Sequence, residues 1–452
     1  MNLPKPFLET LSSKIGIKEV IAFKEQLEKS VPVSVRFNPQ KGYQKTTTNS
    51  VPWCPLGQYL EERPSFTLDP SFHAGKYYVQ EASSMFLWHI LESLPVNKNQ
   101  IKILDLCAAP GGKSTLISAW LNGKGLLCAN EVIKNRAYTL KYNISKEGHH
   151  NVVVTHNDPK DFTILDQFFD VILVDAPCSG EGMFRKDPAS MSEWSVDNVG
   201  LCCSRQKRIL ADVIPALKNN GYLIYSTCTY NDDENIKNIE WVKENYNLQS
   251  IRIPINPEWN IIEEHQSDVF GYQFYPHKIQ GEGFFLSVVQ KDNASTSALK
   301  LKYDHKTLKK TENIHKSLIT PWIDIDEQVT LIDKNQTIHA IPENMQHDVY
   351  ILHHYLRIIN CGVDVGSLNK TILIPNHGLA LAIQKNPNIP AIHLGKNDAL
   401  KYLKKELELV DSDQKSWNLV CYNGLGIGWL KNLGNRINNY LPSEYRILMK
   451  ID

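Results

Sequence analysis

Between residues 101 and 290 short apolar runs alternate with amphipathic stretches of helical length. The runs cover 101–106, 125–129, 152–155, 169–174, 222–226 and 284–290. Apolar positions recur at helical spacing over 113–121, 133–147 and 205–217. Apolar runs this short, bounded by turn residues, read as strands buried on both faces, and their alternation with helices predicts a parallel sheet. The fold class expected is α/β, built on a doubly wound sheet. Ahead of it, 4–14 and 17–29 carry helical periodicity and 33–37 reads as a strand, after which Pro52, Pro55, Pro64 and Pro70 punctuate an irregular stretch. The Lys/Ser/Thr/Asn-rich segment 291–318 has linker composition. Beyond it the texture changes to short strand-like runs at 371–374, 379–383 and 417–422 and one helix around 397–407, which suggests a separate α+β module. The expected division is therefore 1–85, 86–290, a basic linker 291–324, and 325–452.

Composition narrows the class. With 452 residues, 42% hydrophobic and 22% charged, the chain is an ordinary globular one, which excludes collagenous, fully disordered and disulfide-scaffold proteins. No run approaches the roughly 18 apolar residues of a membrane span, and the opening MNLPKPFLETLSSKIG lacks the pattern of a secretory signal. Nine scattered cysteines, none in a C-x-x-C spacing, argue against a zinc ribbon or thioredoxin site and for a reducing, cytoplasmic compartment with no bound metal. Lys+Arg and Asp+Glu balance at 49 each, so a nucleic-acid partner requires a local basic surface. Two stretches offer one. Lysines 291, 300, 302, 306, 309, 310 and 316 outnumber Asp292, Asp304 and Glu312, and Lys431, Arg436, Arg446 and Lys450 lie among aromatics near the end. A solvated face is the commoner use of such runs.

In a doubly wound sheet, ligands bind beyond the carboxyl ends of the strands. The first strand ends in Asp105-Leu-Cys-Ala-Ala-Pro-Gly-Gly-Lys113-Ser, where Gly111 and Gly112 permit a tight turn into a helix whose amides face the ligand. A phosphate-binding Walker loop needs glycine at 107, which is Cys107, so a nucleotide triphosphatase is discounted. The second strand ends in Glu131, twenty residues past Gly111, the spacing at which an acid accepts ribose hydroxyls, although a glutamate opening a helix is common. After the third strand, Asp158 precedes Pro159, placed either to receive an adenine amino group or to make a turn. The fourth ends in Asp175-Ala-Pro177-Cys178-Ser-Gly180 and the fifth in Ser226-Thr227-Cys228-Thr-Tyr. One free cysteine is usually a small buried hydrophobe. Two at successive strand ends, one beside a carboxylate, are placed for chemistry.

Taken together, D-L-C-A-A-P-G-G-K, D-A-P-C-S-G and S-T-C-T resemble the RNA 5-cytosine methyltransferases of the Nol/Nop/Sun family, with spacing most like its bacterial RsmF-like branch. Q-E-A-S-S-M at 80–85 and G-L-G-I-G-W-L-K-N-L-G-N-R at 424–436 extend the resemblance over nearly the whole chain. It implies a Rossmann-like methyltransferase domain with an N-terminal α+β RNA-binding subdomain and a C-terminal PUA-like module. It implies S-adenosyl-L-methionine as cofactor, held by Cys107, Ala108, Ala109, Pro110, Gly111, Gly112 and Lys113, with Glu131 on the ribose, Asp158 by the adenine and Asp175 between cofactor and cytosine. By the same resemblance Cys228 is the nucleophile and Cys178 assists product release. The implied partner is 16S ribosomal RNA, with transfer RNA or a vestigial ribosome-assembly role as alternatives; nothing suggests more than a monomer or a membrane partner.

Such chemistry explains the residue types. Carbon 5 of cytosine is a weak nucleophile until a thiolate adds at carbon 6, a task for cysteine rather than serine. A carboxylate accepting from the N4 amine identifies the base, which must first be unstacked. Lys113 either packs at the helix end or orients the base or cofactor. Arg185 and Lys186 face RNA if their loop covers the site, and otherwise form an exposed basic turn. Trp53-Cys54 and Arg36-Phe-Asn38 read as packing residues. The chain departs from the family pattern at Asn219-Asn220-Gly221, Ser114 and Asp232, none of them a proposed catalytic side chain.

Overall fold

The five central apolar runs form parallel strands β1 (Lys102–Asp105), β2 (Leu126–Asn130), β3 (Val152–Thr155), β4 (Phe169–Asp175) and β5 (Leu217–Thr227). The structure is a computed structural model describing all residues except 44–47, 188, 294–298, 300, 304–307, 311–312, 325–328, 335, 370–371, 410–414 and 452. The strands stand in the order 3-2-1-4-5, so the winding reverses between β1 and β4. Consecutive residues on each strand point to opposite faces. Ile103, Leu127, Val154, Leu173 and Ile224 face one core with Leu116 of helix α1 (Gly112–Leu121) and Leu140 of α2 (Lys134–Glu147). Leu104, Cys128, Val153, Ile172 and Leu223 face the other, with Leu210 of α3 (Val196–Val213) and Ile239 of α4 (Ile236–Asn245). Each such aliphatic side chain contributes about 1.5–3 kcal/mol by leaving water. Among the described residues no helix is long and apolar enough to cross a membrane.

Further strands extend the sheet at both sides. β6 (Leu248–Ser250), β7 (Ile262–Gln266), β8 (Val269–Phe274) and β9 (Phe284–Lys291) continue past β5 in the order β5-β9-β8-β7, all antiparallel, with β6 also on β9. The β7–β8 hairpin turns at Ser267 and Asp268, both at positive φ (49° and 58°). At the opposite edge β10 (Ile358–Cys361), from far along the chain, pairs antiparallel with β3. Among the described residues this sheet has ten strands.

The N-terminal part is a helical hairpin, Lys5–Ile15 and Ile17–Leu27, bent at Gly16 (φ 83°), followed by a sheet of Val33–Phe37 between Gly57–Leu60 and Tyr77–Val79. The tail carries two more sheets, one running from Lys309–Lys310 to Ile372–Pro375 and one from Ala391–His393 to Ile437–Asn439. Three expectations change here. The expected linker 291–324 buries Leu308, Ile319 and Ile323 and includes the helix Asn313–Ile319, so its sparse apolar residues anchor it to the body. The tail is not self-contained either, since β10 and the helix Gln346–Tyr355 complete the central sheet and its second core. The strand-like run at 379–383 begins instead inside the helix His377–Leu381, capped by Asn376; a brief apolar run has no period that separates the two. Lys300, Lys306, Asp304, Glu312 and Thr371 lie outside the described residues.

Two cations, the buried Lys41 and the half-buried Lys141, join the parts. Lys41 donates to the carbonyls of Ala74, Lys146 and Leu381 at 2.8, 2.5 and 2.8 Å, and burial pulls its ammonium down to about 7. Lys141 of α2 meets Asp364 of the tail at 2.9 Å, while His339 Nδ1 stands 2.9 Å from the other Asp364 oxygen, off the line of a good hydrogen bond. Burial opposes ionisation of Asp364, yet His339 and Lys141 hold its carboxyl well below the usual range. A carboxyl with a depressed folded value stabilises above its unfolded value, about pH 4, and loses that contribution as pH falls. Asp364→Asn is therefore expected to cost about 3 kcal/mol at neutral pH. Denaturant unfolding of both proteins should show the difference shrinking as the pH is taken below 4.

Candidate active site

β1 ends at Asp105, which is fully buried at the point where the strand order reverses. Ser114 donates to its Oδ2 at 2.6 Å, whereas Oδ1 has no hydrogen-bond partner among the described residues, and burial raises the carboxyl to about 7. The turn that follows is held from three sides. Ala108 N–H donates to Asn130 O at 2.8 Å, and Asn130 Nδ2 donates to the carbonyls of Leu106 and Asn157, tying together the ends of β1, β2 and β3. Arg136 and Asn143 of α2 donate to Ala109 O and Pro110 O, each at 2.8 Å. Gly111 sits at φ 115°, where a side chain would be strained, and α1 starts at Gly112 with its first amides free for a ligand. Gly112 itself has ordinary backbone geometry, and a Cβ there would only touch Tyr78 at 3.5 Å. Cys107 serves through its backbone, since its thiol packs against the second core and burial pushes it up.

Glu131 follows β2 with only 3% of its surface exposed; it accepts from Ile133 N at 2.9 Å and lies 3.5 Å from Arg136. The next two side chains, Val132 and Ile133, are apolar and about half exposed (49% and 52%), an apolar surface beside the acid that sequence reasoning missed. Asp158 realises its turn reading, capping Pro159–Phe162 by accepting from Lys160 N at 3.1 Å, while the carboxylate remains exposed with Arg208 at 3.9 Å.

Across the reversal point, β4 and β5 pair with Asp175 opposite Ser226. Ser226 Oγ donates to Asp175 Oδ1 at 2.8 Å, and Lys113 Nζ, reaching over from the glycine turn, lies 2.8 Å from Oδ2 and 5.0 Å from the centre of the Phe284 ring. The same register brings the two cysteine loops side by side, with Cys178 Sγ and Cys228 Sγ 3.2 Å apart. The hydrogen bond with Cys228 and then burial push the Cys178 thiol well above the ordinary range. Phe7 and Phe23 of the N-terminal hairpin pack edge-on against Phe184 and Tyr230, one aromatic from each cysteine loop. Lys14 fastens the hairpin to Asp232 and Glu264.

Comparison with known proteins identifies the family. Family descriptions match in three places: "16S rRNA methyltransferase RsmB/F" over 92–290, "N-terminal domain of 16S rRNA methyltransferase RsmF" over 3–82, and "Methyltransferase RsmF PUA domain" over 389–447. The ribosomal RNA small subunit methyltransferase F of Aliivibrio salmonicida is 31% identical, covering 98% of this chain and 97% of its own. The chain belongs to the ribosomal RNA small subunit methyltransferase F family. The family's protein from Escherichia coli O1:K1 / APEC is 28% identical over 88% of this chain and 85% of its own. Among solved structures, a methyltransferase homologue from Pyrococcus horikoshii superposes with a TM-score of 0.53 at 28% identity, covering 64% of this chain and 95% of its own. NSun6 from the same organism, solved with SFG, shares the fold at TM-score 0.53 and 21% identity, covering 64% of this chain and 99% of its own.

Within this family member the expected basic pair behaves differently from the sequence reading. Arg185 is buried, not turned to RNA: its guanidinium pairs with Glu282 at 2.9 Å and donates to Gln26 O and Gly281 O. The loop folds back beneath the N-terminal hairpin, which consumes the charge, and Lys186 alone of the pair is exposed. Arg36, Trp53 and Cys54 are packing residues, as expected. Sequence reasoning also passed over Asn130, Glu181 and Glu234, which are buried polar groups. In the sequence the two glutamates sit in S-G-E-G and D-D-E-N, stretches that read as exposed turns.

Proposed function

We propose that the chain methylates carbon 5 of a cytosine in 16S ribosomal RNA, using S-adenosyl-L-methionine, through a covalent bond between Cys228 and the base. The observation that carries this reading is the pair of thiols 3.2 Å apart beside the Lys113–Asp175 pair, at the sheet's reversal point. The names of the relatives, ribosomal RNA small subunit methyltransferase F, support ribosomal RNA over transfer RNA. Free cysteines throughout are in keeping with a reducing cytoplasm.

The residues present fit the cofactor. The unpartnered Asp105 oxygen, the amides opening α1 at Gly111–Lys113, the buried Glu131 and the apolar Val132 and Ile133 offer acceptors, donors and an apolar wall of the kind an amino acid joined to a nucleoside requires. Cys107–Lys113 would hold it, with Glu131 at the ribose and Asp158 near the adenine. When bound, it supplies an electrophilic methyl group on a sulfonium.

The rest is done by the chain. Cys228 thiolate forms a bond to carbon 6 of the cytosine, and the displaced electron pair makes carbon 5 nucleophilic. Asp175, fixed by Lys113 and Ser226, accepts from the exocyclic amine and so selects cytosine. After methylation the carbon 5 proton leaves to a water oriented by Cys178, the double bond closes, and Cys228 departs as thiolate. Arg436, Arg446 and Lys450 are exposed and Lys431 lies beside Trp417, which supports a role for the tail in RNA binding.

Cys228→Ala should abolish methylation, read by bisulfite sequencing of the RNA, and leave no covalent species. Cys178→Ala should accumulate a slowly migrating enzyme–RNA adduct on a denaturing gel. The opposite pattern would exchange the two roles. Glu131→Ala should weaken cofactor binding roughly ten- to a hundred-fold, because a hydrogen bond to a charged group contributes about 1.5–3 kcal/mol; calorimetric titration of the folded variant checks it. The substitutions Lys431→Glu and Arg436→Glu together should weaken RNA binding, increasingly so at low salt, and leave cofactor affinity unchanged. Substitution is the right test of the tail because truncation at 325 would strip β10 from the central sheet.

A further inference from the structure

Two buried carboxylates, Glu181 and Glu234, lie beneath the cysteine loops with 3% and 0% of their surface exposed, and among the described residues neither forms an ion pair with a basic side chain. Burial raises both above the ordinary glutamate range. Their acceptors are spent instead on the loops. Glu234, six residues past Cys228, gives both oxygens to Ser179, the residue that follows Cys178. Oε1 accepts from Ser179 N at 2.9 Å and Oε2 from Ser179 Oγ at 2.5 Å. Glu181, three residues past Cys178, does the converse. Its Oε2 accepts from Thr229 Oγ1 at 2.8 Å and from Tyr230 N at 3.0 Å, the two residues that follow Cys228.

The two halves touch, with Ser179 Oγ and Thr229 Oγ1 3.1 Å apart. Gln206 of α3 donates to Glu234 Oε1 at 2.9 Å and to Pro177 O at 3.0 Å, bracing the same junction from outside. Gly182 N–H donates to Cys228 O at 2.8 Å, and a Cβ on Gly182 would stand 2.8 Å from that oxygen, so backbone meets backbone there. Each loop is thus gripped, one residue beyond its cysteine, by a carboxylate carried on the other loop.

We propose that Glu181 and Glu234 are positioning residues forming a reciprocal latch that sets the separation of Cys178 and Cys228 and thereby links release of the product to attack on the base. The proposal rests on the two-cysteine reading above. A carboxylate suits the task because every group it meets here is an N–H or O–H donor, and glutamine would turn an amide donor toward one of them. The charge of Glu234 also contributes to keeping Cys178 protonated beside the nucleophile. Breaking the latch leaves Cys228 able to attack but lets Cys178 drift from the position in which it assists departure.

The full-length chain tests this with Glu234→Gln, Glu181→Gln, the shape-conserving Thr229→Val and its rescue Thr229→Ser. Expected for the first three is a kcat at least tenfold lower, with KM for RNA and calorimetric cofactor affinity within twofold of the unaltered protein. A covalent enzyme–RNA adduct should accumulate on denaturing gels, and Thr229→Ser should restore turnover. Independently of turnover, the yield of a dibromobimane cross-link between Cys178 and Cys228, read by peptide mass spectrometry, should fall several-fold when the latch is broken. Normal kcat, adduct level and cross-link yield in Thr229→Val and Glu234→Gln would overturn the proposal. Should a glutamate variant lose cofactor binding through misfolding, the Thr229 pair decides. If Cys178→Ala forms no adduct, the two-cysteine chemistry falls, and the cross-link yield still judges the latch by itself.

Discussion

The arrangement of the candidate site hangs on one pairing, the parallel register that sets Asp175 of β4 opposite Ser226 of β5. A shift by one residue would turn every side chain of a strand to the other face. Asp175 would lose Ser226 and Lys113 together, and the two sulfurs, which lie three and two residues beyond the paired positions, would no longer meet. The register is secured because both strands are buried on both faces. Ile172 and Leu223 lie in one core and Leu173 and Ile224 in the other, so no slipped alignment keeps both filled.

Around that pairing, ion pairs hold the loops in place. Lys113 ties the glycine turn that opens α1 to Asp175 at the end of β4, so the loops after β1 and β4 share a wall. Arg185 clamps the Cys178 loop to Glu282, and Lys14 joins the N-terminal hairpin to the Cys228 loop. An ion pair of this kind contributes little net stability once desolvation is counted, but removing one partner is costly. Such pairs fix geometry more than they add stability, and geometry is what the reaction proposed above depends on.

Much of this was legible in the chain. The runs at 152–155 and 33–37 coincide with strands, and the motifs at Asp105–Lys113, Asp175–Cys178 and Ser226–Cys228 do lie at strand ends, because a continuous apolar run followed by a glycine or proline turn is a local signal. What escaped reading depends on distant partners. β7 reads I-E-E-H-Q, too polar to announce a strand, and is held by β8 through a hairpin with no glycine. Arg185 looks like a surface cation until Glu282, 97 residues on, arrives beside it. Glu181 and Glu234 are likewise ordinary in sequence and become buried only when two loops close on each other.

The strand β10 has a consequence for how the chain is made. β3 emerges from synthesis roughly two hundred residues before Ile358–Cys361 exists to cover it. At about 5–20 residues per second that is on the order of 10–40 s during which an apolar strand edge stands open. Such an edge is a template for pairing with other chains, and the late-arriving strand closes it. The nascent enzyme therefore depends on its own C-terminal half as a built-in guard against aggregation, and a ribosome stalled before residue 358 would release a chain whose five parallel strands are complete in sequence and unprotected in structure.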